Sequence, residues 1–238
     1  MNLSKAQVDR LGDRLKQDPI QAEDLRLLEA FRNSFSPSFE AVRTSIERTL
    51  RAPVSGRGAK SIVAIVAKLR RERTRLSRMQ DIAGCRILVK TPADQNQMAD
   101  RLAALFGGCR IIDRRTSPSF GYRAVHAIVT LNDRPVEVQV RTELQHHWAQ
   151  LSERLADVFG SELKYGGGPA EVKQLLLECS ALVADLESRE PAMPMNALRW
   201  AFDQAIEQAA YEKEVAAVKA YFAKLVRIAQ DESDAEPK

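Results

Sequence analysis

Four stretches of this chain carry residue types that handle phosphate when they are brought together. In VEVQVRT, residues 136–142, Val136, Val138 and Val140 alternate with Glu137, Gln139 and Arg141. A strand of that period has one apolar face and one face bearing a carboxylate, an amide and a guanidinium. In the preceding GYRAVHAIV, Tyr122, Ala124, His126 and Ile128 share one parity. Antiparallel pairing therefore brings His126 or Tyr122 toward the polar face. Tyr122 follows Gly121 at a strand entrance, with its ring free to stack. In MQDIAGCRILV, Asp81 stands just before a strand and Arg86 at its start. A carboxylate at a strand mouth is a good Mg2+ ligand when a second can meet it, and Glu137 is the candidate partner.

The fourth stretch is basic and helical. Lys60, Ala64, Lys68 and Arg71 follow one another at offsets of four, four and three, which puts them on one helical face. A row of cations suits a triphosphate, with lysine as a point charge and arginine as a planar fork. Each stretch has an ordinary structural reading: a half-exposed strand, a hydrogen-bonded core histidine, a solvated charged face, an aspartate in a turn. Their conjunction is what points to chemistry.

The elements that must position these residues follow from periodicity. Leu25, Leu28, Ala30, Phe31 and Phe35, then Phe39, Val42, Ile46 and Leu50, recur at helical spacing within residues 3–50. Pro37 breaks the run, and Ser36 or Ser38 is placed to cap the next helix. Residues 51–59 hold Pro53, Gly56 and Gly58 and read as a loop. A helix over 61–76 has Ile62, Ile65, Val66 and Leu69 as its apolar stripe. CRILV and CRIID read as strands on either side of a helix over 93–106. Strands over 123–131 and 135–141 are joined by Asn132-Asp133, a tight hairpin. Helix returns up to Phe159, GGGP at 166–169 breaks it, and helices over 170–189 and 195–230 follow, separated by Glu190-Pro191 and Pro194.

The pattern predicts an α/β (α+β) fold, a mixed β-sheet flanked by helices with helical N- and C-terminal extensions. No GxGxxG follows a strand, so a doubly wound dinucleotide fold is disfavoured. The expected organisation is a helical region over 1–50, a core over 51–168 and a helical extension over 169–238. Val215, Val218, Phe222 and Leu225 form an apolar stripe in that extension, with Trp200 and Phe202 adding bulk. The stripe suits an oligomer interface or packing on the sheet.

Composition bounds the class. The 238 residues are 45% hydrophobic and 29% charged with a net charge of +4, ordinary for a globular protein and mildly suited to polyphosphate or nucleic acid. No apolar run approaches the roughly 20 residues that span a bilayer, and the polar N-terminus lacks a leader pattern. A cytoplasmic, non-membrane protein is expected. Cys85, Cys109 and Cys179 are odd in number and scattered, which predicts buried reduced thiols rather than disulfides or a zinc site.

Taken together, K60-SIVAIVAKLRRE-72, D81-IAGCRI-87, I112-D113, G121-YRAVH-126 and V136-EVQVRT-142 followed by HHWA at 146–149 resemble the synthetase domain of RelA/SpoT-type alarmone synthetases, in order and in rough spacing. The resemblance covers about residues 30–165. It implies a nucleotidyltransferase-like domain that moves the β,γ-pyrophosphate of ATP, with Mg2+, to the 3′-hydroxyl of GDP or GTP and releases AMP, the (p)ppGpp synthesis of the stringent response. By the resemblance, Lys60, Lys68 and Arg71 hold the ATP phosphates, and Arg86, with Arg57 from its loop, contacts adenine. Asp81 and Glu137 bind Mg2+, and Glu137 activates the acceptor hydroxyl. Tyr122 stacks on the acceptor base, His126 and Gln139 help to place the acceptor, and Arg141 orients Glu137 or a phosphate. His146 stands where small guanosine-using members often have an asparagine near the guanine.

The sequence departs from the family pattern at Arg57, three residues before Lys60 rather than two, and at Ala64, which replaces a serine. The three histidines lie between 126 and 147 with no HxxHD signature, so alarmone hydrolysis is not expected. KYGGG at 164–168 resembles members that are toxins and pyrophosphorylate the tRNA 3′ end. That alternative brings an antitoxin protein as partner and an RNA contact for Arg70, Arg71, Arg73, Arg75 and Arg78. Adenosine nucleotides are another acceptor class, and a non-catalytic nucleotide- or RNA-binding regulator is the alternative outside enzymes. A homo-oligomer is expected from the resemblance.

Overall fold

The computed structural model describes residues 3–189, 211 and 213–227. Three helices open the chain: α1 (Lys5–Leu15), α2 (Ala22–Asn33) and α3 (Ser36–Ser45), the last running into a π-helical turn, Ile46–Leu50. Ser4 caps α1 with Gln7 in a reciprocal capping box. Pro37 sits in the first turn of α3, where its missing N–H costs nothing. Neither neighbouring serine caps that helix. The hydroxyl of Ser38 donates instead to the Leu131 carbonyl at 2.9 Å, because residue 38 is buried and needs a partner there.

Then come β1 (Ser55–Arg57), α4 (Ile62–Glu72), β2 (Ala83–Val89), α5 (Pro92–Leu105), β3 (Arg110–Asp113), β4 (Val125–Leu131), β5 (Arg134–Thr142), α6 (Glu143–Phe159) and α7 (Ala170–Ser188). Residues 213–227 are helical. The strands form one mixed five-stranded sheet in the order β1-β2-β5-β4-β3. β1 was expected as loop, and it pairs antiparallel with β2 through Ser55–Arg86, Gly56–Cys85 and Arg57–Gly84. Gly56 allows this. A Cβ there would sit 2.5 Å from the Gly84 carbonyl oxygen and 2.6 Å from the Cys85 Cα.

Asn132 and Asp133 both take left-handed φ, 49° and 58°, as a two-residue hairpin turn demands. α4 is shorter than the expected 61–76. It begins after the Ser61 N-cap and ends at Glu72, with Arg73 left-handed at φ 48°.

The chain divides into two compact units. The first comprises residues 1–87, 98–112 and 126–140, and the second residues 88–97, 113–125 and 141–238. The first holds most of every strand. Its core gathers Leu28, Phe35, Val42, Ile65 and Leu69 from the helices and Val136 and Val138 from β5, all buried. α1 packs on α2 and α4. In the second unit Leu144, Trp148, Leu151 and Leu155 of α6 meet Leu176, Cys179 and Val183 of α7. Phe222 is buried in that cluster, and Val215, Val218 and Leu225 pack against it. The C-terminal apolar stripe therefore serves intrachain packing on helices rather than on the sheet, while Trp200 and Phe202 lie outside the described residues. All three cysteines are free. Cys85 and Cys179 are buried as expected, whereas Cys109, just before β3, is only half-buried.

Candidate active site

Asp81 stands between α4 and β2, and two lysines converge on one of its oxygens. Lys60 Nζ lies 2.8 Å and Lys68 Nζ 2.9 Å from Asp81 Oδ2. Lys68 reaches it from the middle of α4. Lys60 precedes the helix, so the basic row is not one helical face. Lys60 is fixed instead by its backbone N–H, which donates to the Ile82 carbonyl at 2.6 Å. Arg71 pairs with Glu72 at 2.9 Å. Burial works to raise the Asp81 carboxyl, and the charges of Lys60 and then Lys68 outweigh it, holding the group below its ordinary 3.8. Asp81 Oδ1 is buried and accepts no hydrogen bond among the described residues.

Glu137 lies on the polar face of β5. His126 Nδ1 donates to Glu137 Oε1 at 2.9 Å, and Gln139 Nε2 donates to Oε2 at 2.8 Å. Burial again works to raise this carboxyl. The bond from His126 and then that from Gln139 outweigh it, against an upward push from the charge of Asp81. The two carboxylates thus sense each other, and both stay ionised.

Gly84 leaves space beside Glu137. A Cβ on Gly84 would approach the Glu137 carbonyl oxygen to 3.1 Å and its Cβ to 3.7 Å. Gly84 is also the register partner of Arg57, so Arg57, Gly84 and Glu137 fall in line across three adjacent strands. The unusual Arg57–Lys60 spacing leaves the Arg57 backbone in this row. Arg86 is half-buried, two residues beyond Gly84 on the same face of β2. Cys85, on the opposite face, is pushed up to about 12 by burial and by Glu137, which keeps it an inert thiol.

The donor set fits a hard divalent cation. Two ionised carboxylates interact, and one of them carries a buried oxygen without a hydrogen bond. No group of three or more His, Cys, Asp or Glu gathers among the described residues. That leaves the site short of an all-protein cage but compatible with Mg2+, which commonly takes one or two carboxylates and completes its shell with water and phosphate.

The remaining candidates belong to the second unit. Arg141 Nη2 donates to the Tyr122 hydroxyl at 3.0 Å, and its guanidinium carbon lies 5.0 Å from the ring centroid. Tyr122 also meets Trp148, with centroids 6.4 Å apart. The ring expected to be free is thus half-buried and engaged. His146, in the first turns of α6, lies beside His147 at 6.2 Å between rings. Sequence reasoning missed Gly84, although a glycine inside a strand signals close approach. It also missed Ser180 and Glu187 of α7, for which no local pattern exists.

Residues 57–156 match the family described as the region found in RelA / SpoT proteins. Uncharacterized proteins of Mycobacterium tuberculosis and Mycobacterium bovis are 35% identical over 148 residues, covering 60% of this chain and 54% of theirs. The chain spans about half the length of these curated relatives. The crystal structure of small alarmone synthetase 1 from Bacillus subtilis bound to its product pppGpp superposes over 68% of this chain and 94% of its own, at 24% identity and a TM-score of 0.52. The two share a fold.

Proposed function

We propose, from the match of residues 57–156 to the region found in RelA / SpoT proteins, that this chain is a pyrophosphotransferase, moving the β,γ-pyrophosphate of ATP to the 3′-hydroxyl of a guanosine nucleotide. The observation that carries the reading is the pair of interacting carboxylates, one held by two lysines and the other by a histidine and an amide.

The residues divide the work. Lys60 and Lys68 neutralise polyphosphate charge, with Arg71 at the end of the same helix. Arg86 and Arg57 contact adenine. Asp81 and Glu137 would hold Mg2+, which when bound neutralises phosphate charge and orients the pyrophosphoryl group. Glu137, kept ionised by His126 and Gln139, accepts the proton of the 3′-hydroxyl. The 3′-oxygen forms a bond to the β-phosphorus, the bond from that phosphorus to the bridging oxygen of the α-phosphate breaks, and AMP leaves with the electron pair. Tyr122, positioned by Arg141, stacks on the acceptor base, and His146 helps to place it.

A nucleotide acceptor is favoured over RNA by the state of the basic segment. Arg70 pairs with Asp18 at 2.7 Å and Arg75 with Asp9 at 3.9 Å, so part of its charge is answered within the molecule.

The test incubates the full chain with γ-labelled ATP and Mg2+, offering GDP, GTP, ADP and bulk tRNA in parallel. Label on a guanosine nucleotide, with AMP released in equal amount, is expected. Label on tRNA alone would replace the acceptor and imply a toxin with an antitoxin partner. If no acceptor is labelled and no AMP forms, the proposal fails.

A further inference from the structure

The residue expected to stack on the acceptor, Tyr122, sits in a loop that a helix far along the chain fastens. The Ser180 hydroxyl of α7 is buried and donates to the Gly121 carbonyl at 2.6 Å. Ser180 Oγ also accepts from Arg123 Nε at 3.1 Å. One side chain therefore holds both sequence neighbours of Tyr122. Arg123 continues the tie, its Nη1 donating to the Arg115 carbonyl at 2.5 Å, while the Arg114 N–H donates to the Ala124 carbonyl at 2.9 Å. These two bonds close the loop on itself.

Packing reinforces the geometry. Gly121 takes φ 88° and has no room for a side chain, since a Cβ would lie 2.8 Å from Trp148 and 3.2 Å from the Ser180 Cβ. Trp148, against which Tyr122 rests, is itself held by α7, its indole N–H donating to the Leu176 carbonyl at 2.8 Å. A buried hydroxyl that both donates and accepts fixes two groups at once, and its loss leaves a buried carbonyl unsatisfied. α7 lies beyond the stretch 57–156 that matches the family.

We infer that Ser180, through Arg123 and the Gly121 carbonyl, is a positioning residue for Tyr122, so that α7 sets acceptor binding without touching the acceptor. The inference rests on the proposed transfer reaction for its kinetic consequence but not for its structural one, and two measurements on the full chain separate them.

The first is amide hydrogen exchange. Ser180→Ala is expected to speed exchange across residues 114–124 by about tenfold, the order set by one buried hydrogen bond, while α4 and β5 stay unchanged. The second is steady-state kinetics. The acceptor KM rises by about tenfold on the same reasoning, with the ATP KM unchanged and kcat nearly so. Ser180→Thr, which keeps the hydroxyl, recovers most of both effects. In a Tyr122→Ala background, Ser180→Ala adds nothing further to KM, as expected if the two residues act as one. Should Ser180→Ala not fold, Arg123→Gln cuts the same tie from the loop side.

Unchanged exchange in the loop overturns the inference. So does exchange that rises equally in α4, which would make Ser180 a general stability residue. A wild type that transfers nothing brings down the proposed reaction, while the exchange comparison still decides the role of Ser180.

Discussion

At the residue scale the two carboxylates differ in what surrounds them, and substitutions separate their roles. Glu137→Gln keeps the volume and acceptor capacity for His126 but removes the base, so kcat falls by roughly 10²–10⁴-fold while thermal unfolding shifts little. Lys68→Ala leaves Lys60 on Asp81 and removes one phosphate contact, raising the ATP KM with little change in acceptor KM. If both constants rise together, the division of the site between the two substrates is wrong. Gly84→Ala presses a methyl to 3.1 Å from the Glu137 carbonyl, an overpacking that costs about 1–3 kcal/mol and is measured by chemical denaturation. The placement of the carboxylates was legible in sequence because Glu137 stands within, and Asp81 just before, a strand of clear period. Their partners were only partly so. His126 shares the right parity, but the bond to Glu137 needs a register that parity alone leaves open.

At the element scale, two helix starts invite comparison. Ser61 caps α4 through a single bond to the Ala64 N–H at 3.3 Å on an exposed surface. Thr142 caps α6 in a buried capping box with Gln145, and its hydroxyl also donates to Glu187. Ser61→Ala is expected to cost about 1 kcal/mol. Thr142→Ala costs more, because it removes a cap and leaves half-buried Glu187 short of a donor. Calorimetric melts giving equal losses would count against that account. Helices, hairpin and the long strands followed from period and turn chemistry. β1 did not, since three residues around a glycine carry no period. It exists because Gly56 lets two backbones meet, and Gly56→Ala is expected to unpair it.

At the scale of the whole molecule, pH reports a half-buried acid outside the proposed chemistry. Glu187 joins α7 to the start of α6 through Thr142 and Gln145, and Gln145 continues to Gln95 at 2.9 Å. Burial raises its carboxyl above the ordinary 4.5, with Thr142 and Gln145 only partly offsetting it. The folded state thus prefers the neutral acid. The stability this gives is fully present below about pH 4.5 and is lost as pH rises through the elevated folded value. Glu187→Gln removes that loss. It is expected to be more stable than wild type at pH 7 and to converge with it in acid, as measured by denaturant midpoints at several pH values. A constant difference across pH would mean that Glu187 stays charged. The sequence by itself determined the periods, and with them the apolar and polar faces of β5, the Asn132-Asp133 turn and the fold class, because side-chain direction is fixed by local backbone geometry. Only the tertiary structure decided that Lys60 and Lys68 share one oxygen of Asp81, that Gly84 opens space beside Glu137, and that Ser180 fastens the loop of Tyr122. Those contacts join residues far apart in the chain, and strand register and helix packing, rather than any local rule, bring them together.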